Sequence, residues 1–253
     1  GTLLGVPFTA IDYVAGDTAA IAMGGGHGSS RATYMASTAM HRASVRIIDK
    51  GTAVAARLLQ APPSDIEFET GKFRIRGTDR DVDLFEVAAE AAQSGEPLDT
   101  YQHFRRDAMT YPNGCHIAEV AVAPDTGEVE LLHYTAVDDY GVLVNPTIAE
   151  GQIHGAIAQG IGQALLEQIR YDETSGQLMS GSFMDYAMPR AADLPPLRVE
   201  QLGTRCTTNP LGIKGCGEAG AIAAFPAIAN AIVDATTVQD LSGTSSAHRV
   251  WRQ

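Results

Sequence analysis

Cysteine, tryptophan and basic side chains are all scarce in this chain of 253 residues. It has three cysteines, Cys115, Cys206 and Cys216, and one tryptophan. The cysteines form no CxxC pair and are odd in number, which argues against a disulfide framework and favours a reducing compartment. They are also too few to hold an iron–sulfur cluster, and no His/Cys cluster has the spacing of a zinc site. We interpret each cysteine as a small buried residue rather than a nucleophile. Cys216 is a partial exception, because it lies in the glycine-rich segment of residues 212–220.

Positive charge is also scarce. Lysine and arginine number 18 against 30 aspartates and glutamates, which gives a formal net charge of -12. The basic residues are scattered along the chain, whereas nucleic acids and anionic membrane surfaces are bound by clusters of them. No apolar run reaches the ~18–20 residues of a membrane-spanning helix. The composition therefore disfavours nucleic-acid binding and predicts no membrane span.

The chain begins at Gly1, without an initiator methionine or a signal peptide. Residues 1–7 read as the end of a helix that leads into a strand. We therefore expect the C-terminal part of a longer polypeptide. The prediction for its location is cytoplasmic, and a periplasmic location stays open because a missing N-terminus would carry any signal peptide.

Turn residues and hydrophobic spacing predict a mixed α+β fold with no regular βαβ repeat. Helical spacing over 32–60 is interrupted near Gly51, which predicts a broken helix there. The chain after Leu241 is predicted to be a poorly packed terminus. The predicted elements are hairpins at 66–76 and 115–137, helices at 84–92, from 145 to 166 and at 221–233, an extended segment at 180–186 and a strand at 197–202.

One carboxylate, Glu218, stands among the four glycines of residues 212–220. Glycines at such spacing let the backbone approach a bulky ligand. The apolar run that follows reads as a buried helix, so Glu218 would lie near its N-terminus in surroundings poor in water. Burial and the helix end can tune the pKa of a carboxylate for a general base. On the residues alone, a glycine-rich turn capped by a glutamate explains the pattern equally well.

Two further segments are punctuated by glycine, at 24–33 and 150–165. Together with Asn209-Pro210-Leu211 and the loop around Glu218, they make the chain resemble the molybdenum-binding large subunit of the xanthine oxidase family. That family includes aldehyde oxidoreductases and carbon monoxide dehydrogenases, and the likeness covers about residues 7–234. The resemblance implies a C-terminal molybdopterin-binding region, with a first subdomain at 1–100 and a second, carrying the glutamate loop, at 101–253.

The family hydroxylates a carbon centre of a small molecule with oxygen taken from water. By resemblance, Glu218 matches the catalytic glutamate, which would take a proton from the attacking oxygen. General-base assistance of this kind contributes ~10²–10⁴-fold. The resemblance also implies a molybdenum–molybdopterin cofactor, in the cytosine dinucleotide form usual in bacterial members. We predict no protein ligand to the metal, because the pterin dithiolene supplies its sulfurs.

Gln159 matches the glutamine that the family places at the pterin. Its amide both donates and accepts hydrogen bonds, and Gly160 and Gly162 would let the backbone come close to the cofactor. The rival interpretation is a helix-packing motif, because Gly155, Gly160 and Ala164 also allow close contacts between helices.

The loop Gly28-Ser29-Ser30-Arg31-Ala32 precedes a helix, and a helix start is a natural anion site. The family has a glycine-serine-arginine-serine element here, whereas this chain has Ser29 for the first glycine and Ala32 for the last serine. We predict cofactor binding by residues 28–32. A solvated turn with a helix cap is the alternative.

Residues 214–217 complete the predicted cofactor site, with Gly215, Cys216 and Gly217 lining it. Lys214 would either neutralise a phosphate or pair with a nearby acid. Asp138 and Asp139 could form a carboxylate pair for acid–base work, but we favour a structural role for both. Three isolated histidines are also interpreted as structural, namely His27, His116 and His154.

The resemblance implies partners that this chain does not encode. These are the N-terminal remainder of the large subunit, and 2Fe-2S and FAD groups on other domains or subunits. The chain alone would therefore be an inactive fragment of a molybdenum oxidoreductase. Two alternatives remain: a non-catalytic interaction or assembly module, and a nucleotide-phosphate enzyme that uses residues 24–33. The latter lacks the Gly-Lys-Ser/Thr ending of a phosphate-binding loop.

Overall fold

The computed structural model describes residues 1–21, 23–238, 241 and 243–252. The chain divides into two compact units. The first unit contains residues 1–27 and 35–106, and the second contains 28–34 and 107–253. The glycine-serine loop at 28–34 thus belongs to the unit that also contains Gln159 and Glu218.

The described residues of the first unit combine two α-helices with a three-stranded antiparallel sheet. The elements are α1 (Ala32–Leu59, counted in this unit from Met35), β1 (Ile66–Glu69), β2 (Lys72–Ile75), β3 (Asp81–Asp83) and α2 (Leu84–Gln93). The predicted break near Gly51 is wrong, because α1 is continuous. A Cβ at Gly51 would lie 2.4 Å from the ring of Phe73. The glycine therefore provides space for a buried aromatic ring, and tertiary packing overrides its low helix propensity.

In its described residues after 107, the second unit contains a three-stranded mixed sheet and three α-helices. The strands are β4 (Asn113–Val122), β5 (Val129–Asp139) and β6 (Leu197–Gln201), and the helices are α3 (Pro146–Ile161), α4 (Ala219–Ala235) and α5 (Ala247–Trp251). β4 and β5 form the predicted hairpin, and β6 pairs with β5 in parallel. A π-helical turn, Gly162–Leu166, follows α3 directly. The α+β fold class is confirmed.

The core of the second unit forms where α3 and α4 pack with the sheet. Both helices bury a side chain at every fourth position, which places these side chains on one face of each helix. The buried residues of this core include Ile153, Ile157 and Ile161 on α3, Ala224, Ile228 and Ile232 on α4, and Tyr134 and Ala136 on β5.

Two glycines bring α3 and α4 into backbone contact. A Cβ at Gly160 would lie 2.4 Å from the Ala224 Cβ, and one at Gly220 would lie 2.7 Å from the carbonyl oxygen of Ile153. The two contacts follow the same order along both helices, so the helices run in the same direction. This close packing sets the N-terminus of α4 beside the first half of α3.

Two further expectations differ from the structure. Residues 180–186 form turns rather than a strand, and the Asp185 amide donates to the carbonyl oxygen of Ser182 at 3.0 Å. The chain after Leu241 is better packed than predicted: Ser245 is buried and donates its amide to Ala164, and Val250 joins the core. Ser242 lies outside the described residues. In the part of the chain that the structure describes, no helix combines the length and hydrophobicity needed to span a membrane.

Candidate cofactor site

The loop of residues 212–218 is fastened to the end of β5. The Lys214 amide donates to the carbonyl oxygen of Tyr140 at 3.0 Å, and the Val142 amide donates to that of Gly212 at 2.9 Å. A preceding turn is closed by Asn209, whose side chain bonds both the amide and the carbonyl oxygen of Ile213. The backbone that leads to Glu218 is therefore fixed by its own hydrogen bonds.

Ser30 lies against the two glycines that precede Glu218. A Cβ at Gly215 would lie 2.5 Å from the Ser30 Cβ, and one at Gly217 would lie 2.6 Å from the Ser30 Oγ. Real Cβ atoms do not approach other heavy atoms so closely. Two of the three segments singled out in the sequence therefore meet here, and they meet through glycine.

Ser29 and Ser30 both have left-handed backbone conformations, with φ of 52° and 49°. A residue with a side chain loses roughly 1–2 kcal/mol in this region, whereas glycine adopts it freely. Ser29 stands where the resembled family has glycine, and its conformation is one that glycine favours. Such local strain persists only where the surroundings enforce it, as the packed Ser30 and glycine loop do here.

Glu218 occupies the N-cap position of α4, but its side chain makes no capping hydrogen bond. The structure therefore does not support the alternative in which this glutamate caps a turn. The prediction of surroundings poor in water is wrong for this chain, because Glu218 is exposed. The helix buries the two following residues, Ala219 and Gly220, against the core and leaves the carboxylate at the surface of the unit.

Gln152 links the third segment to the glutamate loop. Its side-chain amide donates to the carbonyl oxygen of Gly217 at 2.7 Å. Gln152 lies in the glycine-punctuated segment at 150–165, but the sequence predicted no role for it. Its position seven residues before Gln159, two helical turns on the same face, was the available signal.

Gln159 is exposed on α3, about 10 Å along the helix axis from Gln152. The face it shares contains Gly151 and Gly155, and no atom lies within 4 Å of a Cβ built on either glycine. Two exposed helical glycines without a packing partner leave room for a flat group beside the glutamine. The Cβ of Gly28 would likewise meet no atom within 4 Å.

Gly160 and Gly162 have protein neighbours. Gly160 packs on Ala224, and a Cβ at Gly162 would lie 2.4 Å from the Glu167 Oε1 and 2.8 Å from Pro189. The helix-packing interpretation therefore accounts for Gly160, whereas Gly162 lies against Glu167 and Pro189, which are outside the helices. That interpretation does not account for Gly155, because that position faces open space.

Lys214 pairs with an acid, which was one of its two predicted roles. Its Nζ lies 2.6 Å from Asp139 Oδ2, and both side chains are largely buried. Although burial raises the pKa of Asp139, hydrogen bonds from Lys214 and from the Thr204 and Gly141 amides lower it to about 2. The carboxylate is therefore ionised at neutral pH, and the ammonium charge is engaged within the protein.

The remaining predicted residues of the site differ in exposure. Cys216 is half-buried and packs against the core, and burial raises the pKa of its thiol. Arg31 is half-buried, and Ala32 begins α1. Within the described residues, no three His, Cys, Asp or Glu side chains form a group that could hold a metal ion.

Comparison with known proteins points to one family. A family model described as a molybdopterin cofactor-binding domain matches residues 2–195. The gamma subunit of the 6-hydroxypseudooxynicotine dehydrogenase complex of Paenarthrobacter nicotinovorans is 39% identical over 235 residues, which cover 89% of this chain and 29% of that protein.

Two solved structures agree with this match. A copper- and molybdenum-containing CO dehydrogenase superposes with a TM-score of 0.87 at 30% identity, over 99% of this chain and 33% of that one. Quinoline 2-oxidoreductase from Pseudomonas putida 86 superposes with a TM-score of 0.77 at 33% identity, over 89% and 30%. The chain thus spans about a third of the length of these relatives. It belongs to the molybdopterin cofactor-binding domain family, within the molybdenum-binding large subunits of xanthine oxidase-type oxidoreductases.

Proposed function

We propose that this chain forms part of the cofactor site of a molybdenum hydroxylase in which Glu218 is the general base. The proposal rests on the position of Glu218 at the N-terminus of α4, where its carboxylate makes no capping hydrogen bond. The loop that carries Glu218 packs against Ser30 and accepts a hydrogen bond from Gln152. When bound, the cofactor supplies the acceptor for two electrons. For a substrate with a C–H bond the reaction is R–H + H₂O → R–OH + 2 H⁺ + 2 e⁻, and for carbon monoxide it is CO + H₂O → CO₂ + 2 H⁺ + 2 e⁻. In either case Glu218 takes one of the protons.

The residues fit a flat, polar cofactor. Open space beside Gly151 and Gly155 would receive the ring system along α3, and the Gln159 amide would donate to and accept from its edge. Residues 28–32 would present backbone amides at the start of α1, where a helix dipole favours anions. Gly160, Gly162 and Lys214 are left out of this proposal, because protein groups already occupy their contacts.

For Glu218 to act as a base, its carboxylate must be ionised before the reaction and must be able to hold a proton. The end of α4 favours the ionised form, through a positive partial charge at the helix N-terminus. Exclusion of water would strengthen the interaction of the carboxylate with the attacking oxygen. We infer that the bound cofactor and the rest of the large subunit supply that cover, since the chain spans only about a third of its relatives.

The electrons would leave through 2Fe-2S and FAD groups on partner subunits or domains, and the cofactor would carry the cytosine dinucleotide. The substrate is a small molecule. Names of relatives include nicotine, quinoline, hypoxanthine, aldehydes and carbon monoxide. These five kinds of compound form a practical test panel.

The experiment is a Glu218→Gln change in the complete enzyme, assayed on this panel with a dye as electron acceptor. We expect turnover per molybdenum to fall at least ~10²-fold, with molybdenum and pterin content retained. Asp234→Asn, which alters an exposed acid at the other end of α4, is the control and should leave turnover unchanged. Full turnover in Glu218→Gln would remove the base from the mechanism. Absence of molybdenum and pterin from the purified wild-type protein would favour the non-catalytic assembly module.

A further inference from the structure

Four polar side chains form a hydrogen-bonded cluster inside the second unit, beneath the end of β5. His116 on β4 has a fully buried ring, with Nδ1 2.7 Å from the Tyr134 hydroxyl and Nε2 3.1 Å from Asp138 Oδ2. The Tyr140 hydroxyl donates to the same Asp138 carboxylate. We call His116, Tyr134, Asp138 and Tyr140 the Asp138 cluster.

The Asp138 carboxylate is shared by two partners in the cluster. The Tyr140 hydroxyl donates to it, and the His116 ring contacts it through Nε2. Burial, and then the hydrogen bond to Asp138, raise the pKa of Tyr140, which keeps it a donor. A Cβ at Gly114 would overlap the Asp138 carboxylate, so this glycine provides its space.

The cluster is joined to the Glu218 loop through Tyr140. The Tyr140 hydroxyl donates a hydrogen bond to Asp138, and the Tyr140 carbonyl oxygen accepts one from the Lys214 amide. On the other side of the same turn, Asp139 accepts from Lys214 Nζ. Two consecutive aspartates therefore fix the end of β5 from opposite sides, and both connections end on Lys214, four residues before Glu218.

A buried polar cluster is a costly way to stabilise a core, because apolar side chains of similar volume serve as well or better. What such a cluster adds is specificity, because its members meet in only one register of β5 against β4. A slip of one residue between β5 and β4 would turn Asp138 away from His116 and move the Tyr140 carbonyl oxygen away from Lys214. Because His116 lies on the neighbouring strand, the cluster fixes this register against β4.

We propose that the Asp138 cluster positions the Glu218 loop. It fixes the end of β5, and Tyr140 in turn holds the loop through the hydrogen bond from the Lys214 amide to its carbonyl oxygen. The proposal rests on the proposed function only for its effect on turnover, because its effect on the loop can be measured directly. Tyr140 and Asp138 are thus positioning residues.

The test is Tyr140→Phe in the complete molybdenum enzyme, which removes one hydroxyl and keeps the ring. Hydrogen exchange is measured by mass spectrometry on peptides that contain the Val142 and Lys214 amides. We expect exchange at these amides to accelerate at least ~10-fold, because they lose a fixed partner. With the best substrate of the panel, kcat per molybdenum should fall about 10-fold or more while KM changes less than about two-fold, as misplacement of a base predicts.

Tyr186→Phe is the matched control. It removes a tyrosine hydroxyl that donates to the Glu167 carboxylate at 2.6 Å, in the same unit but away from the cluster. It should leave exchange at Val142 and Lys214 unchanged. Asp138→Asn weakens the contacts of this side chain with both Tyr140 and His116, and should accelerate the same exchange at least as much.

Unchanged exchange and unchanged kcat in Tyr140→Phe would overturn the positioning role, whatever Glu218→Gln does. Faster exchange in Tyr140→Phe together with full turnover in Glu218→Gln would leave the positioning of the loop standing and overturn the base. The two proposals can therefore fail separately.

Discussion

Gly215 lies so close to Ser30 that a Cβ at position 215 would be 2.5 Å from the Ser30 Cβ and 2.8 Å from its carbonyl oxygen. These two neighbours are a backbone atom and the first side-chain atom, so rotation of the serine side chain cannot relieve the overlap. The contact joins the 28–34 segment to the Glu218 loop through main-chain geometry.

We predict that Gly215→Ala displaces one of these segments and costs about 1–3 kcal/mol in the free energy of unfolding. Gly217→Ala is the comparison, because its short contact is with the Ser30 Oγ, which can rotate away. Urea unfolding of the two variants beside wild type measures the difference. Equal stability of Gly215→Ala and Gly217→Ala would show that the backbone contact does not constrain the loop.

Gly155 offers a test of the open face of α3. Alanine is about 0.8–1 kcal/mol more favourable than glycine in a helix interior, and at position 155 it would meet no neighbouring atom. Gly155→Ala should therefore stabilise this chain, yet lower the molybdenum and pterin content of the complete enzyme if a cofactor lies on that face. Calorimetry and metal analysis measure the two effects.

Gly160→Ala is the matched control on the same helix. Its added methyl group would overlap Ala224, so it should destabilise the chain by about 1–3 kcal/mol. Full cofactor content in Gly155→Ala would place the cofactor away from this face.

Asp139 gives a prediction for pH. Its folded-state pKa of about 2 is below its ordinary value near 3.8, so the ionised form is favoured by folding. The associated stability is fully present above pH 3.8 and is lost as the pH falls through 2. After allowance for solvent screening, the contribution is on the order of 1 kcal/mol.

Asp139→Asn should remove this contribution. The difference in unfolding free energy between wild type and the variant, measured in urea from pH 6 to pH 2, should shrink as the pH falls. A difference that is constant over this range would contradict the depressed pKa.

The sequence predicted those elements that are determined by residues close together in the chain. The β4–β5 hairpin follows from alternating residues around a Pro-Asp-Thr-Gly turn, and the start of α3 follows from Asn145-Pro146, where the asparagine side chain accepts from the Ile148 amide. The packed α5 was missed because its burial depends on contacts with distant parts of the chain, such as Ser245 with Ala164.

The site shows the same limit. Motifs singled out the segments around Ser30, Gln159 and Glu218, but spacing along a chain does not give the distance between segments in space. Whether a glycine serves a neighbouring helix, as Gly160 does, or faces open space, as Gly155 does, depends on what packs against it. Glu218 was expected to be buried because an apolar run follows it, yet only one face of α4 is covered by the protein.

The backbone contacts between α3 and α4 have a consequence for selectivity. Gly160 against Ala224 and Gly220 against Ile153 set the span from Gln159 to Glu218 without any adjustable side-chain torsion. A ligand that contacts both Gln159 and Glu218 would have to fit a distance that is fixed by the packing of α3 against α4. We expect a larger side chain at position 224 to push α3 and α4 apart at Gly160. Such a change in the core would alter the distance between Gln159 and Glu218, and with it the size of ligand that fits, without changing a residue that would contact the ligand.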